Sequence, residues 1–422
     1  MKKRVEIFIG CMFFLSCINF FYILWFYGAH NFLPAPFLYD KANTFMDFYN
    51  TLYWSMHDGV YVVWKSVYPP LSFLLLDCYH HIFLADISTL SDGFTIREEV
   101  GHFIIPWLLI CVSTLFFAVR ICFHKIAGNK LQFMIFMIFL LSPPFLFALE
   151  RGNLIVLNIW MLSWYIFSKN TIHRSVALAI LVNLKPYFII LYILQLLSKN
   201  AREENKNFLF ITPVLILLIF LLSGLLLNQE FYLLPNNLFG FAAERKIFSP
   251  TEVLSFPSTV IAFEYFGDLA VKYRSSGIFF SIFRAVLYFY IIKSIMLASK
   301  KTVKFEDLAI LSVLIITNYS ISTGGYGLIY YIPILAILYQ QRFYSLIVII
   351  VTTIYLGVWD IIPIYSYGGD YMQVYLSGEQ VRIESYLGLG SIIRPLVNFA
   401  ILILFYNNLK KKYLNAQIKD KY

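Results

Sequence analysis

The chain has 422 residues, 60% of them hydrophobic and only 14% charged, with a mean hydropathy of +0.72. Soluble domains are nearer half apolar, with about a quarter of their residues charged, so a soluble globular protein is excluded. The net charge of +9 lies largely in short clusters between apolar runs, which is the positive-inside pattern of membrane proteins and argues against nucleic acid as a partner.

Apolar runs of about 20 residues, long enough to cross a bilayer, recur from end to end. They predict an all-α polytopic membrane protein, with residues 1–422 as a single integrated domain. Met1-Lys2-Lys3-Arg4 precedes the first run, Glu6 to Gly28. This resembles a signal peptide, but no small-residue cleavage site follows, so an uncleaved first helix is expected. A polar, aromatic-rich stretch from Tyr39 to Leu76 comes next, closing on Tyr68-Pro69-Pro70-Leu71. Interleaved Tyr and Trp suit a membrane–water interface, and the paired prolines favour an extended backbone.

Further segments run Leu71 to Ala85, His102 to Phe123, Leu131 to Leu149, Leu154 to Phe167, Ser175 to Leu197 and Phe208 to Leu227. The later ones are Gly277 to Ala298, Leu308 to Ile321, Leu328 to Tyr339, Tyr344 to Trp359 and Ile392 to Tyr406. Loop charge predicts the topology. Lys2, Lys3, Arg4, Lys300, Lys301, Lys304, Arg342 and Lys410 to Lys412 mark the cytoplasmic side, with both termini there. Tyr39 to Leu76, Gln229 to Ser276 and Asp360 to Gly390 are then outside. Six full crossings between Glu6 and Leu197 would put Lys125, Lys130, Lys169 and Arg174 outside as well. Short or re-entrant segments at Leu71 and Ser175 would return them inside and expose Glu150 to Asn153 outside. Charge bias favours the second arrangement, and broken helices are tolerated where they line a protein cavity.

Three stretches hold residues suited to chemistry. Asp47 stands between aromatics in Met46-Asp47-Phe48-Tyr49, where a carboxylate can take a proton from a sugar hydroxyl; a solvated loop aspartate or a cap is the plainer alternative. Asp40 and Asp58 compete with it on the same grounds. Glu150-Arg151-Gly152-Asn153 follows a helix broken by Pro143 and Pro144. Charges there either line a cavity or form an ordinary loop ion pair. Lys185, in Asn183-Leu184-Lys185-Pro186, lies in the middle of an apolar run. An unpaired cation there costs roughly 2.5–3.5 kcal/mol, so it needs an anion such as a phosphate, an acidic partner, or a route to water. The later outer loops mix charges with Tyr and Phe without singling out a residue. Gly324-Gly325-Tyr326-Gly327 is expected to be a tight connection. Cys11, Cys17, Cys78, Cys111 and Cys122 have no metal-ligand spacing, and no HExxH, CxxC, Walker or GxSxG motif is present. No metal site and no cofactor are expected.

Taken in order, Asp47, Tyr68 to Leu71, Glu150 to Asn153 and Leu184-Lys185-Pro186 resemble the motifs of the GT-C membrane glycosyltransferases. The similarity is greatest to the polyprenyl-phosphomannose-dependent family 87 and covers roughly the first half of the chain. The second motif departs from that family's Gly-Gln-x-Asn-like pattern, and only Asn153 and the polar character carry over. The resemblance implies a GT-C-like bundle of about 10–12 transmembrane or re-entrant helices, with the active site in extracytoplasmic loops of a bacterial cytoplasmic membrane. It implies inverting transfer of a hexose, mannose-like, from a polyprenyl-phosphate sugar to a lipid-linked or cell-envelope glycan. Asp47 would be the general base, Lys185 and Arg151 would hold the donor phosphate, and Asp40, Asp58, Tyr68, Glu150 and Asn153 would contact substrate. The alternatives are an O-antigen-type polymerase or ligase, for which Arg245 and Arg274 are available, and a lipid-linked sugar transporter or flippase.

Overall fold

The computed structural model describes residues 2–37, 43–83, 90–198, 206–243, 277–300, 303–319, 325–366, 370–383 and 386–419, with 259, 262, 263 and 266. Six described helices are long and apolar enough to cross a membrane: Lys3–His30, Gly93–Phe123, Lys206–Leu227, Ile278–Ser299, Tyr344–Ile361 and Gly390–Tyr413. A bent pair, α6 (Asn129–Leu140) and α7 (Pro143–Arg151), meets at 57° and forms a seventh crossing if counted as one span. The chain is a multi-pass helical membrane protein. Large apolar side chains such as Phe14, Phe21, Leu217, Leu225 and Phe289 stand on the outside of these helices, as they do where hydrocarbon is the solvent.

The bend after α6 has a local cause. Ser142 is extended, and Pro143 and Pro144 open α7, where a missing N–H costs nothing. α7 then stops at Gly152, whose φ of +66° is left-handed. A Cβ on Gly152 would also come within 2.7 Å of the Phe48 Cβ. Only glycine satisfies both constraints.

The segment expected from Ser175 to Leu197 is two helices, α9 (Thr171–Leu184) and α10 (Ile189–Leu197), joined by a short 3-10 turn. Lys185 precedes a proline and is extended, which ends α9. The Thr212 hydroxyl donates to Ser175 near the start of α9 at 3.0 Å. Tyr192 in α10 donates to the Leu209 carbonyl at 2.9 Å. The two arms thus touch the same turns of helix Lys206–Leu227, so the chain turns back at Lys185 as a helical hairpin. The Leu71 segment is likewise short: α3 (Pro70–Phe83) has 14 residues, and Ser72 in its first turn donates to the Leu184 carbonyl.

Before Leu197 the described helices long and apolar enough to cross a membrane are Lys3–His30 and Gly93–Phe123, with the bent α6–α7 pair as a third if it is counted as one span. α5 (Ile104–Phe123) starts beside Gly152, whose carbonyl accepts from the Trp107 indole at 3.1 Å. It runs about 24 Å to Arg120, which bonds Gln132 in the first turn of α6 at 2.9 Å. α8 (Ile155–Phe167) returns in the same direction, and Arg174 lies over the Phe305 ring, 4.1 Å from its centroid. Lys125, Lys130, Lys169 and Arg174 consequently share the end opposite Glu150 to Asn153. At that end Asp307 is buried and accepts from Lys412 at 2.6 Å, Tyr413 at 2.8 Å and Gln341 at 3.1 Å. Gly325–Tyr330 forms a 3-10 turn leading into helix Tyr331–Gln340, which is buried along most of its length.

The Asp360 to Gly390 loop holds unforeseen structure. β1 (Pro363–Ser366) pairs antiparallel with β4 (Tyr386–Gly388), and β2 (Asp370–Gln373) with β3 (Gln380–Ile383). At their base the buried Arg394 binds both carboxylate oxygens of Asp360 at 2.6 Å. Just beyond β2, the Tyr375 ring lies 4.1 Å below the Arg97 guanidinium and edge-on to Phe45. The hairpin thereby reaches the start of α2 (Met46–Ser55).

Candidate functional site

The start of α2 is fastened to the turn after α7. Phe45, at φ +60°, opens the helix without a side-chain cap. Its N–H donates to the Glu150 carbonyl at 2.7 Å. The Thr44 hydroxyl donates to the Glu150 carboxylate at 3.1 Å, and Arg97 donates to the Thr44 carbonyl at 2.6 Å. Asn43 accepts from Arg151 through its side chain at 2.7 Å and its carbonyl at 3.0 Å. Asn43 and Thr44 thus act as tethers to α7 rather than as helix caps.

These tethers hold Asp47 in the first turn of α2, where the helix dipole favours a carboxylate. Its Oδ1 pairs with Arg151 Nη2, and its Oδ2 accepts from Asn153 Nδ2 at 2.6 Å. The Asn153 side-chain oxygen accepts from the Ile155 N–H at 2.9 Å, which fixes which end of the amide faces Asp47. The ion pair is only partly covered, at 21% side-chain exposure for Asp47 and 16% for Arg151. An ionised carboxylate has about four acceptor positions, so two protein partners leave room for an incoming hydroxyl.

Tyr68 and Lys185 complete the same site. Tyr68 lies in the loop before α3, next to Asn153, and its hydroxyl is pushed well above the usual phenol range by burial and by the Asp47 charge. It therefore stays protonated and offers a neutral O–H. The Lys185 ammonium sits 3.7 Å from the centroid of the Tyr68 ring. Lys185 is 5% exposed and feels the Asp47 charge. Among the described residues no carboxylate comes within ion-pair distance of it, and no side chain accepts a hydrogen bond from it. Beside this break the Tyr187 and Tyr330 hydroxyls meet at 2.8 Å, and Asn158 donates to Tyr330 at 3.3 Å. Tyr326, stacked on Phe147, is close enough to act electrostatically on Arg151 and Tyr187.

The fold thus gathers Asp47, Tyr68, Arg151, Asn153 and Lys185 from four separate stretches. Glu150 faces Thr44 and serves as a tether. Asp58 is exposed and accepts from Gln229 Nε2 at 3.1 Å, with no described contact to Asp47. Asp40 lies outside the described residues, as do Glu244, Arg245, Lys246, Glu264 and Arg274. Tyr187, Tyr330, Asn158 and Arg97 escaped the sequence reading. Tyr187 stands two residues from Lys185 in the helix break, and Asn158 is polar within apolar α8, and those are the signals that mark them.

The site sets one fixed carboxylate against two cations, with neutral hydroxyls between them. That combination suits removal of a proton at one point and stabilisation of a departing anion at another. The Asp47 cluster supplies a single carboxylate already engaged by Arg151 and Asn153, and no set of three metal ligands forms there among the described residues. No protein-family model, curated protein or solved structure matches the chain.

Proposed function

We propose that the protein is a membrane glycosyltransferase that moves a hexose from a polyprenyl-phosphate sugar to a lipid-linked or cell-envelope glycan. The observation that carries this reading is Lys185: a buried ammonium without a carboxylate partner among the described residues, beside an oriented Asp47–Arg151 pair. A buried cation left without an anion calls for one from outside, and a lipid-borne phosphate brings it at the depth of the membrane interface.

In the reaction, Asp47 takes the proton from the acceptor hydroxyl. The acceptor oxygen attacks the anomeric carbon as the bond from that carbon to the phosphate oxygen breaks, with inversion. The electron pair leaves with the polyprenyl phosphate, whose charge meets Lys185 and Arg151. Tyr68 and Asn153 hold the reacting groups in register. No nucleotide or metal is required by this scheme. The end bearing Asp47 would face outward from a bacterial cytoplasmic membrane. The opposite end, with Lys125, Lys130, Arg174 and Lys412, would face the cytoplasm by the positive-inside rule.

The GT-C likeness of the fold and the mannose-like donor are part of the same proposal. Purified protein in detergent, given a panel of labelled lipid-phosphate sugars and glycan acceptors, should yield a product heavier by one hexose without any gradient. Movement of a lipid-linked sugar across a vesicle without bond formation would instead favour a flippase. Transfer only from pyrophosphate-linked donors would favour a polymerase or ligase.

A further inference from the structure

The last two turns of α3 carry Asp77, His80 and His81, spaced i, i+3 and i+4. Side chains at these offsets share one helix face. One ligand atom from each lies within 4.8 Å of the others. His81 Nε2 and Asp77 Oδ2 are 3.7 Å apart, and the His80 and His81 ring centroids 5.0 Å. In a tetrahedral site with bonds of about 2.0–2.1 Å, ligand atoms stand about 3.3 Å apart. Small rotations of side chains that are already adjacent close the difference.

We propose that this turn binds a borderline divalent transition-metal cation of the Zn²⁺ type through Asp77, His80 and His81. Two imidazoles and one carboxylate form the donor set that such ions prefer, whereas Ca²⁺ and Mg²⁺ take oxygen ligands. The His81 side chain is 70% exposed and Asp77 31%, so water completes the coordination sphere. The trio also sits at a helix C-terminus, whose partial negative charge favours a cation. Its backbone is already fixed. Tyr79, buried between the ligands, packs edge-on against Phe48 and Trp107, and its hydroxyl donates to the Phe103 carbonyl. Binding therefore orders three side chains and no main chain.

The ion would lie about 12 Å along α3 from Ser72, the residue that bonds the Lys185 hairpin. It clips the far end of the helix that positions Tyr68 and takes no part in the transfer itself. The proposal is thus independent of the glycosyltransferase assignment.

The test uses the full chain without a histidine tag, stripped by chelator and titrated with Co²⁺ and then Zn²⁺. The expected result is one ion per chain, with visible Co²⁺ bands that Zn²⁺ abolishes. His80→Ala and His81→Ala should each raise the dissociation constant by at least about 10-fold, while His57→Ala, whose ring bonds the Tyr53 carbonyl, leaves it unchanged. Melting of the metal-free variants checks their folding. In the unmodified protein, Zn²⁺ should protect the exposed His81 from diethyl pyrocarbonate. Absence of saturable binding, equal affinity in the variants, or an unprotected His81 would overturn the proposal.

Discussion

Replacing Lys185 by methionine should make the protein more stable and a poorer ligand for its donor. Methionine keeps the length of the side chain and removes a charge that is 5% exposed. Relieving that charge favours the folded, inserted state by roughly 2.5–3.5 kcal/mol on insertion scales. The contact with the Tyr68 ring, 3.7 Å from the ammonium, is lost and takes back about 0.5–2 kcal/mol. The balance is a net stabilisation of about 0.5–3 kcal/mol, read from thermal unfolding in one detergent. If the ammonium meets the donor phosphate, the loss of a charge-assisted hydrogen bond of about 1.5–3 kcal/mol weakens donor affinity about 10- to 150-fold. The two effects have opposite signs, which separates them from general damage. Unchanged donor affinity in a well-inserted Lys185→Met protein would refute the phosphate role. A clear loss of stability would show that the Tyr68 contact outweighs burial.

Arg394→Met should destabilise the fold by about 3–5 kcal/mol, because it strands the buried Asp360 carboxylate without a partner; chemical denaturation measures it, and a change within 1 kcal/mol contradicts it. Gly152→Ala forces a left-handed alanine, at about 1–2 kcal/mol, and drives its Cβ toward Phe48. The turn that aims Arg151 and Asn153 should shift, so turnover should fall further than stability alone explains. Cysteines placed at Asp58 and Lys169 should be labelled from opposite faces of a sealed vesicle, with Asp58 on the outer one; labelling of both from one face would break the re-entrant topology.

Much of this site was readable from residues one at a time, because each broke a local rule. Lys185 is a cation in an apolar run before a proline, and Pro143-Pro144 announces a break before a charged turn. Pro143-Pro144 foretells the bend after α6, whereas the short segment at Ser175 is favoured by the charge of the basic loops. Residue pattern leaves Asp40, Asp47 and Asp58 as rivals, and it is the family resemblance that singles out Asp47. The partners that distinguish Asp47 stand 104 and 106 residues away, and local pattern carries no trace of them. Tyr330 stands 143 residues from Tyr187 in a chain with 31 tyrosines, and nothing local marks it. The strands between Pro363 and Gly388 are only three or four residues long, too short to show an alternating pattern. Asp77, His80 and His81 close an apolar helix in no named metal motif, so only the side-chain geometry brings them out.

The central claim is that Asp47 acts as the base in sugar transfer, and Asp47→Asn tests it most directly. Asparagine keeps the size and the bond from Asn153 but cannot accept a proton at neutral pH. In a gradient-free transfer assay with a polyprenyl-phosphate sugar, turnover should fall by about 10²–10⁴-fold. Donor affinity should change little, and Asp58→Asn, altered at a carboxylate that accepts from Gln229, should stay near the unmodified rate. Turnover of Asp47→Asn within a few-fold of the unmodified protein would contradict the account.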